Sequence, residues 1–433
     1  MRLSHTFTRT RKQAPADEVA HNAQLLIRAG YVHKTMAGVY SYTPLGLAVL
    51  ENIKQIVREE MNRIRSQELL MSTLQRQELW QETGRWSDEL VDVWFKSHLQ
   101  DGTEVGFGWT HEEPIIELLR SYLKSYKDLP ISVYQFQNKL RNELRAKSGI
   151  MRGREFIMKD MYSIHASKED LDAYYQAVIE AYKRCYRRFG LGDDTYVTFA
   201  SGGAFTKFSH EFQTICEAGE DDIFIVPSTN VAYNAEVAPV RAMPNPDAGA
   251  AMKPLGILDD ENIIGAEALT KALDIPRTAS TKSMLYDSPD GMLLAVVRSD
   301  YEINEDKLKA VANVPWLRLA DGEQIEATTG AKLGFAGLYN LPENVRLFVD
   351  DSCEDMVNFE TGANKTGQHA YNANWGRDIP RPSEFVEIKL AKEGDISPET
   401  GEVYQKRRTA EVGNIFNFGT QKSEEMGLVF TGE

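Results

Sequence analysis

The sequence predicts an α+β fold in which an antiparallel sheet is flanked by helices and a smaller α/β domain is inserted into the chain. Three observations support this prediction. The chain has 433 residues, more than one hydrophobic core of ordinary size requires. Stretches with helical spacing alternate with stretches of period two, and the two strongest strands follow each other across a single loop. A segment rich in Pro, Ala and Met, residues 239–254, then interrupts the pattern.

The composition describes a globular protein and excludes several functional classes. Apolar residues make up 42% and charged residues 26%, and no apolar run of about 18 residues could cross a bilayer. Residues 1–13 lack the apolar core of a secretory signal, so we expect a cytoplasmic protein. Three widely spaced cysteines argue against a disulfide framework. The net charge of −15 argues against nonspecific nucleic-acid binding by the whole surface, but not against a local basic groove in the first half.

Three amphipathic helices are predicted in the first half of the chain. The first covers residues 46–64 and has one apolar face that we expect to be buried. The second begins at Pro114, because proline at the first helical position forfeits no hydrogen bond. The third begins at Ser167, where Asp170 three residues later resembles a capping box, and it runs to Gly190.

An antiparallel hairpin is predicted between the second and third helices. Residues 135–143 alternate with period two, which places five polar side chains on one side of a strand: Gln135, Gln137, Lys139, Arg141 and Glu143. That side is either solvated surface or the floor of a polar site. A basic loop, residues 144–152, leads to a second alternating strand over residues 154–160.

The charged groups of this hairpin suit a polyphosphate ligand. The strands would fix Arg141 and Glu143, and Phe156 could lie beneath a flat heterocycle. The alternative is a solvated hairpin with ordinary ion pairs. No phosphate-binding glycine loop is present, and His111-Glu112 lacks the second histidine of a metalloprotease motif.

The second half of the chain predicts an inserted domain. From about residue 225 to 395 it has its own helix (265–273), apolar strands (292–297 and 345–349) and Gly-rich turns, and residues 402–420 return to strand patterning. Insertion is tolerated at a surface loop whose ends stay close. We therefore divide the chain into a first domain (1–224), an insert (225–395) and returning strands of the first domain (396–433).

Two stretches of the hairpin carry a family resemblance. KLRNE at residues 139–143 and MRGREFIMKDMYS at 151–163 resemble motif 2 of class II aminoacyl-tRNA synthetases, in the form found in bacterial prolyl-tRNA synthetases. Further blocks look like segments of that family in its order: 79–86, 108–113, 209–212, 219–222 and 411–420. The resemblance covers essentially the whole chain. It implies a dimeric class II catalytic domain that uses ATP and Mg²⁺ to activate proline as prolyl-adenylate and transfers it to tRNA(Pro).

The resemblance also implies roles in ATP binding. Arg141 would be the catalytic arginine that bridges the amino-acid carboxylate and the α-phosphate. Glu143 and Arg152 would hold the adenine amino group and the distal phosphate, and Phe156 would stack on adenine. The ribose and Mg²⁺ contacts would come from three residues near the end of the chain, with the metal at the first of them: Glu411, Asn417 and Thr420.

Proline binding is implied for three further residues, Thr110, Glu112 and His210, together with Arg141. The acid of the Thr110–Glu112 loop suits a secondary ammonium. Without the resemblance, Glu112 would be interpreted as a helix N-terminal acid favoured by the helix dipole, and His210 as a core residue.

The insert resembles the editing domain of bacterial prolyl-tRNA synthetases, which hydrolyses mischarged alanyl-tRNA(Pro). Residues that line the family's editing pocket match Lys282, Gly330, Asp350 and His369. Alanine is smaller than proline, so a synthetic pocket sized for proline cannot exclude it, and a second site is the expected remedy.

Motif 3 of the family, a G-x-G-x-x-R, and its anticodon-binding domain are not found in this sequence. We therefore expect a truncated or split enzyme, completed by a second polypeptide, or an incomplete reading frame. Two alternatives stay open on the sequence. One is an inactive paralogue that acts as a binding protein, and the other is a trans-editing hydrolase that uses only the insert.

Overall fold

The computed structural model describes residues 3–144, 148–201 and 208–432. Up to residue 201 the chain forms these helices and strands: α1 (His21–Arg28), β1 (Val32–Met36), β2 (Val39–Tyr42), α2 (Pro44–Arg63), β3 (Gln67–Glu68), β4 (Leu74–Arg76), α3 (Gln77–Gln81), β5 (Lys96–His98), β6 (Glu104–Phe107), α4 (Glu112–Tyr122), β7 (Ile131–Leu140), β8 (Glu155–Ile164), α5 (Lys168–Arg188) and β9 (Thr195–Ser201).

From residue 208 onward the elements are mostly short strands. They are β10 (Phe208–Ile215), β11 (Asp221–Ile225), β12 (Ala232–Asn234), β13 (Gly256–Asp259), α6 (Ala266–Leu273), β14 (Thr281–Asp287), β15 (Leu293–Arg298), α7 (Glu305–Ala312), β16 (Arg318–Leu319), α8 (Gly322–Thr329), β17 (Arg346–Val349), β18 (Phe359–Gly362), β19 (Gln368–Ala373), β20 (Gln405–Phe416) and α9 (Gln421–Glu425).

The chain divides into two compact units. The first unit comprises residues 1–195 and 417–433, and the second comprises residues 196–416. Antiparallel sheets with helices packed beside them occur in both, which confirms the predicted α+β fold. In the described part of the chain, no helix combines the length and apolar character needed to cross a membrane.

The β7–β8 hairpin is the central feature of the first unit. The two strands pair in antiparallel register from Ile131 opposite Ile164 to Leu140 opposite Glu155, so the predicted hairpin is present, but β7 begins four residues earlier and β8 ends four residues later than predicted. On the polar side of β7, Gln135 is 1% exposed, Lys139 is fully buried and Gln137 is partly buried. The solvated alternative therefore does not hold for Gln135 and Lys139, and a polar site at this side stays a prediction.

The predicted end of the first strand is wrong by three residues. β7 ends at Leu140, and Arg141 lies beyond it in a bridge with Trp94. The chain leaves the hairpin here because Asn142 donates its backbone N–H to Val93 O, 2.7 Å away. Glu143 is therefore in a loop and not on a strand. The tip of the predicted cationic loop, residues 145–147, lies outside the described residues.

Two of the three helix predictions need corrections. α4 begins at Glu112 rather than at Pro114, because two acids occupy its first turn and proline is tolerated anywhere in that turn. α2 begins two residues before the predicted start, at Pro44, and ends one residue before the predicted end, at Arg63. Its apolar face is only partly covered, since Val49 and Ile53 are more than 40% exposed. The third helix, α5, begins as predicted: the Ser167 hydroxyl caps it by accepting from Asp170 N at 3.2 Å.

The second unit contains a barrel and two further sheets. The barrel order is β10-β20-β11-β12-β9, so its strands come from both sides of residues 235–404. The intervening chain forms the sheets β13-β19-β18 and β16-β14-β15-β17. The division into a first domain (1–224), an insert (225–395) and returning strands (396–433) stays a prediction.

Candidate active site

Thr110 and Glu112 form a pair at the start of α4. The Thr110 hydroxyl donates to both carboxylate oxygens of Glu112, at 2.6 and 2.7 Å. The Thr110 carbonyl accepts from Gln75 Nε2 at 2.8 Å, which ties the loop to β4. Glu112 occupies the first helical position, where the helix dipole favours an acid, and its side chain is also bonded to a hydroxyl.

A mostly buried arginine, Arg85, contacts this pair. Arg85 Nη1 lies 3.4 Å from Glu112 Oε2 and 2.9 Å from each carboxylate oxygen of Glu113. Glu113 is fully buried and also accepts from the Thr83 hydroxyl at 2.9 Å. The guanidinium of Arg85 stacks over Trp109, 4.7 Å from the ring centroid. Arg85 thus lies closer to Glu113 than to Glu112.

A chain of buried polar groups runs from the hairpin to this loop. Lys139 Nζ lies 2.5 Å from His111 Nδ1 and 3.0 Å from Asp160 Oδ1. Asp160 Oδ2 accepts from Gln135 Nε2 at 2.9 Å and from the Tyr162 hydroxyl at 2.8 Å. Burial lowers the pKa of Lys139, and burial together with the lysine charge lowers the pKa of His111.

Tyr162 lies beside these polar groups and contacts Asp160. Burial, and then the nearby carboxylates of Glu112 and Asp160, hold the pKa of Tyr162 well above its ordinary value. The phenol donates to Asp160 Oδ2.

Arg141 lies next to the Thr110–Glu112 loop. Its Nε is 3.4 Å from Trp109 O, and its guanidinium carbon is 5.4 Å from the ring centroid of Phe156 on β8. Leu140 N donates to Gly108 O at 3.0 Å, so the end of β7 and the start of the Thr110–Glu112 loop are bonded to each other. The structure thus brings together Thr110, Glu112, Arg141 and Phe156.

The remaining predicted ATP residues of the first unit lie farther along the chain. Glu143 and Arg152 approach each other to 4.0 Å, and Arg154 Nε donates to Glu143 O at 3.0 Å. Asn417 Oδ1 accepts from Gly419 N at 3.0 Å. Thr420 is exposed and immediately precedes α9.

Two predicted site residues belong to the second unit. His210 is on β10, half-buried, with its ring 4.7 Å from that of Phe199, and burial lowers its pKa. Glu411 is exposed on β20, opposite Gln213 of β10. That they meet Thr110 and Arg141 in one site stays a prediction.

The four predicted editing residues have different surroundings. The ammonium of Lys282 pairs with Glu302. Gly330 ends α8 with φ 78°, a conformation that favours glycine. Asp350 is buried and accepts from two backbone groups, Ser352 N at 2.9 Å and Ile388 N at 2.8 Å.

His369 is the predicted editing residue with an unused polar atom. Its Nδ1 lies 2.9 Å from Glu360 Oε1, and Glu360 Oε2 accepts from the Ser280 hydroxyl at 2.6 Å. His369 Nε2 is buried without a hydrogen-bond partner among the described residues. The ring of Phe335 packs 5.3 Å from the imidazole.

Sequence reasoning missed the residues that support these sites. Arg85 contacts Glu112, Glu113 contacts Arg85, and Glu360 contacts His369. Arg85 lies 27 residues from Glu112 in the chain, so no local pattern points to it. Glu113 carries no signal of its own, because the helix dipole favours acids at a helix start whether or not an arginine is near. A cluster of three or more potential metal ligands of the His, Cys, Asp or Glu type is absent from the described residues.

Comparisons with known proteins identify the family of the chain. The family model described as tRNA synthetase class II core domain (G, H, P, S and T) matches residues 94–433. The chain is 39% identical over 438 residues to the proline--tRNA ligase of Bacillus subtilis (strain 168), covering 100% of this chain and 76% of that protein. It is likewise 39% identical over 437 residues to the proline--tRNA ligase of Listeria monocytogenes serotype 4b (strain F2365), with the same coverage of both chains.

A solved prolyl-tRNA synthetase from Cryptosporidium parvum, complexed with halofuginone and AMPPNP, aligns with a TM-score of 0.42 at 13% identity, over 47% of this chain and 44% of that one. That likeness is too distant to support an argument. The identities to the bacterial relatives and the matched core domain suffice. The chain belongs to the class II aminoacyl-tRNA synthetases and, within them, to the proline--tRNA ligases.

Proposed function

We propose that this chain is a proline--tRNA ligase that activates proline with ATP and transfers it from prolyl-adenylate to tRNA(Pro). One observation carries the proposal. Glu112 is an acid bonded to the Thr110 hydroxyl, and Arg141 Nε lies 3.4 Å from the carbonyl oxygen of Trp109, the residue that precedes Thr110. A free amino acid presents a cation and an anion close together. Glu112 with Thr110 suits the ammonium, and Arg141 suits the carboxylate.

The chemistry requires positioning and charge neutralisation. A carboxylate oxygen of proline attacks the α-phosphorus of ATP, the new P–O bond forms, and the bond to pyrophosphate breaks. Both reacting groups, the carboxylate and the α-phosphate, are anionic, so an arginine that contacts them together lowers the barrier. In this proposal no side chain forms a covalent intermediate, and fixing the two reactants in line supplies much of the rate.

We assign the rest of the ATP site to Glu143 at the adenine amino group, Arg152 at the distal phosphate, Phe156 beneath adenine, and Asn417 and Thr420 at the ribose. Glu411 is a candidate Mg²⁺ ligand. Mg²⁺ retains several waters and is bound through one or two carboxylates plus substrate phosphates, so a single exposed carboxylate fits such an ion. Mg²⁺ would neutralise charge on the leaving pyrophosphate.

Proline-dependent ATP–pyrophosphate exchange by the purified chain tests this function. We expect exchange with proline and ATP. Absence of exchange together with hydrolysis of alanyl-tRNA(Pro) would support the trans-editing alternative, and absence of both activities would support a binding protein.

Editing of alanyl-tRNA(Pro) is the second activity that we propose, on the strength of His369. His369 Nδ1 lies 2.9 Å from Glu360 Oε1, and Nε2 has no hydrogen-bond partner among the described residues. In the neutral tautomer that donates Nδ1–H to Glu360, Nε2 is an acceptor. Such an imidazole can accept a proton from an attacking water or bind a ligand donor. Lys282, Gly330 and Asp350 remain proposed members of the pocket.

A His369→Ala variant tests the editing proposal. We expect alanyl-tRNA(Pro) hydrolysis to fall about 100-fold, because one general-base or binding group is removed, while proline-dependent exchange is unchanged. Gln368→Ala is the matched control, since the neighbouring side chain on β19 points to the other face. Full hydrolysis by His369→Ala would contradict the role.

A homodimer is the assembly that we propose, because apolar side chains are exposed along α2 and beside it. Leu47 and Ile53 of α2 are more than 40% exposed, and Phe7 is 81% exposed. Phe7 and Leu47 line one surface groove together, and exposed apolar surface of this kind marks an interaction site.

An Ile53→Lys variant tests the dimer by sedimentation equilibrium. We expect the wild-type chain to sediment at twice its 48.9 kDa mass and the variant to sediment as a monomer, because a lysine placed in an apolar interface is desolvated without a partner. Gln55→Lys, an exposed polar position of the same helix, should leave the dimer intact. A monomeric wild-type chain would refute the assembly.

A further inference from the structure

The floor of the candidate active site contains a buried lysine that the proposed chemistry does not use. Lys139 is 0% exposed, and its ammonium contacts His111 and Asp160. A buried ammonium is costly unless it is paired and hydrogen-bonded. Asp160 supplies the counter-charge, so the contact with His111 needs a separate explanation.

The contacts of His111 fix its protonation and orientation. Its Nε2 lies 3.1 Å from Ser72 O, which can only accept, so Nε2 carries a hydrogen. Its Nδ1 lies 2.5 Å from an ammonium, which can only donate, so Nδ1 is the acceptor. His111 is therefore a neutral ring held at both nitrogens. Gly108 leaves room for the ring, since a Cβ there would lie 2.8 Å from His111 Cε1.

His111 stands between Thr110 and Glu112 in the chain. When its ring is fixed, the backbone on both sides is fixed, and with it the hydroxyl and carboxylate that face the ligand. We propose that Lys139 is a positioning residue for proline recognition, which holds the Thr110–Glu112 pair in place through His111. This inference rests on the proposed function, because it assumes that Thr110 and Glu112 bind the proline ammonium.

Two substitutions of His111 separate its two contacts. Asparagine places an acceptor near the position of Nδ1 and can keep the bond from Lys139, whereas glutamine places a donor near the position of Nε2 and can keep the bond to Ser72 O. Neither substitution disturbs the Lys139–Asp160 ion pair. The full-length chain is assayed by pyrophosphate exchange, and KM is measured separately for proline and for ATP.

For His111→Gln we expect the KM for proline to rise about tenfold, because one hydrogen bond to a charged group is lost. The KM for ATP should stay unchanged. For His111→Asn we expect the KM for proline to stay within about threefold of wild type. The inference is overturned if His111→Gln binds proline normally, if His111→Asn is as impaired as His111→Gln, or if the KM for ATP rises in parallel with that for proline.

A Lys139→Met variant adds a pH readout that a purely structural role would not change. His111 faces Lys139 on β7, Asp160 on β8 and Glu112 on α4, so removing the lysine removes its one cationic neighbour among these groups and leaves two acids. Protonation of His111 then becomes easier. We expect the KM for proline to rise as the pH falls from about 8 to 6 in Lys139→Met but not in wild type. Parallel pH profiles would overturn the inference.

A Glu112→Gln variant measured alongside distinguishes failure of the proline site from failure of the positioning role. If Glu112→Gln leaves the KM for proline unchanged, the assignment of the proline site itself is wrong. If Glu112→Gln raises that KM and the His111 and Lys139 variants behave as wild type, only the positioning role fails.

Discussion

Replacing Arg141 with alanine is expected to lower kcat/KM for proline-dependent pyrophosphate exchange about 100- to 1000-fold, because the group that neutralises both reacting anions is removed. The position of the side chain at the end of β7, with Nε 3.4 Å from Trp109 O, directs it to the loop that holds Thr110. Arg141→Lys should be nearly as impaired, since lysine keeps the charge but lacks the planar fork that contacts two oxygens together.

Arg187→Ala is the control for this experiment. Arg187 is exposed on α5, and its removal should leave exchange unchanged. Thermal unfolding of the Arg141 variants should match wild type, because Arg141 is only half-buried and lies outside the core clusters. Full exchange by Arg141→Ala would contradict the role assigned to it.

Replacement by glutamine should weaken proline binding at Glu112 and destabilise the fold at Glu113. Glu112→Gln is expected to raise the KM for proline about 10- to 100-fold, because the ammonium loses a charge-assisted hydrogen bond. Its effect on stability should be small, since Arg85 keeps both bonds to Glu113.

Glu113→Gln should instead destabilise the fold by about 3 kcal/mol, because it leaves the mostly buried guanidinium of Arg85 without its principal partner. Urea unfolding and exchange kinetics measured on both variants check this contrast. The assignment of the two acids would be wrong if Glu113→Gln impaired proline binding in a fully stable protein while Glu112→Gln did not.

Local signals were sufficient to predict the main elements of the first unit. The cap at Ser167 and the alternation of β7 and β8 are set by neighbouring residues, and both occur as predicted. The end of β7 was not predictable, because it depends on a bond from Asn142 to Val93, a partner in another part of the chain. The exposure of Val49 and Ile53 was also hidden, since a helical apolar stripe does not reveal what covers it.

The candidate site, too, was only partly predictable from the sequence. The sequence shows that Lys139 and Arg141 share one side of a strand. Alternation alone does not distinguish a solvent-exposed polar side from a buried one. The burial of Lys139 follows from His111 and Asp160, which reach it from another loop and another strand. Resemblance to a family supplied the roles of Thr110 and Glu112, and the structure shows that a hydroxyl and a carboxylate in those positions are bonded to each other.

Calorimetric titration with a non-hydrolysable prolyl-adenylate analogue probes the whole proposed site at once, because one ligand carries the ammonium, the linkage to the α-phosphate and the adenine. We expect saturable binding of one analogue per chain, weakened at least tenfold by Glu112→Gln and by Arg141→Ala and unaffected by Arg187→Ala. Wild-type affinity in both site variants, or no binding by the unaltered chain, would contradict the proposed site.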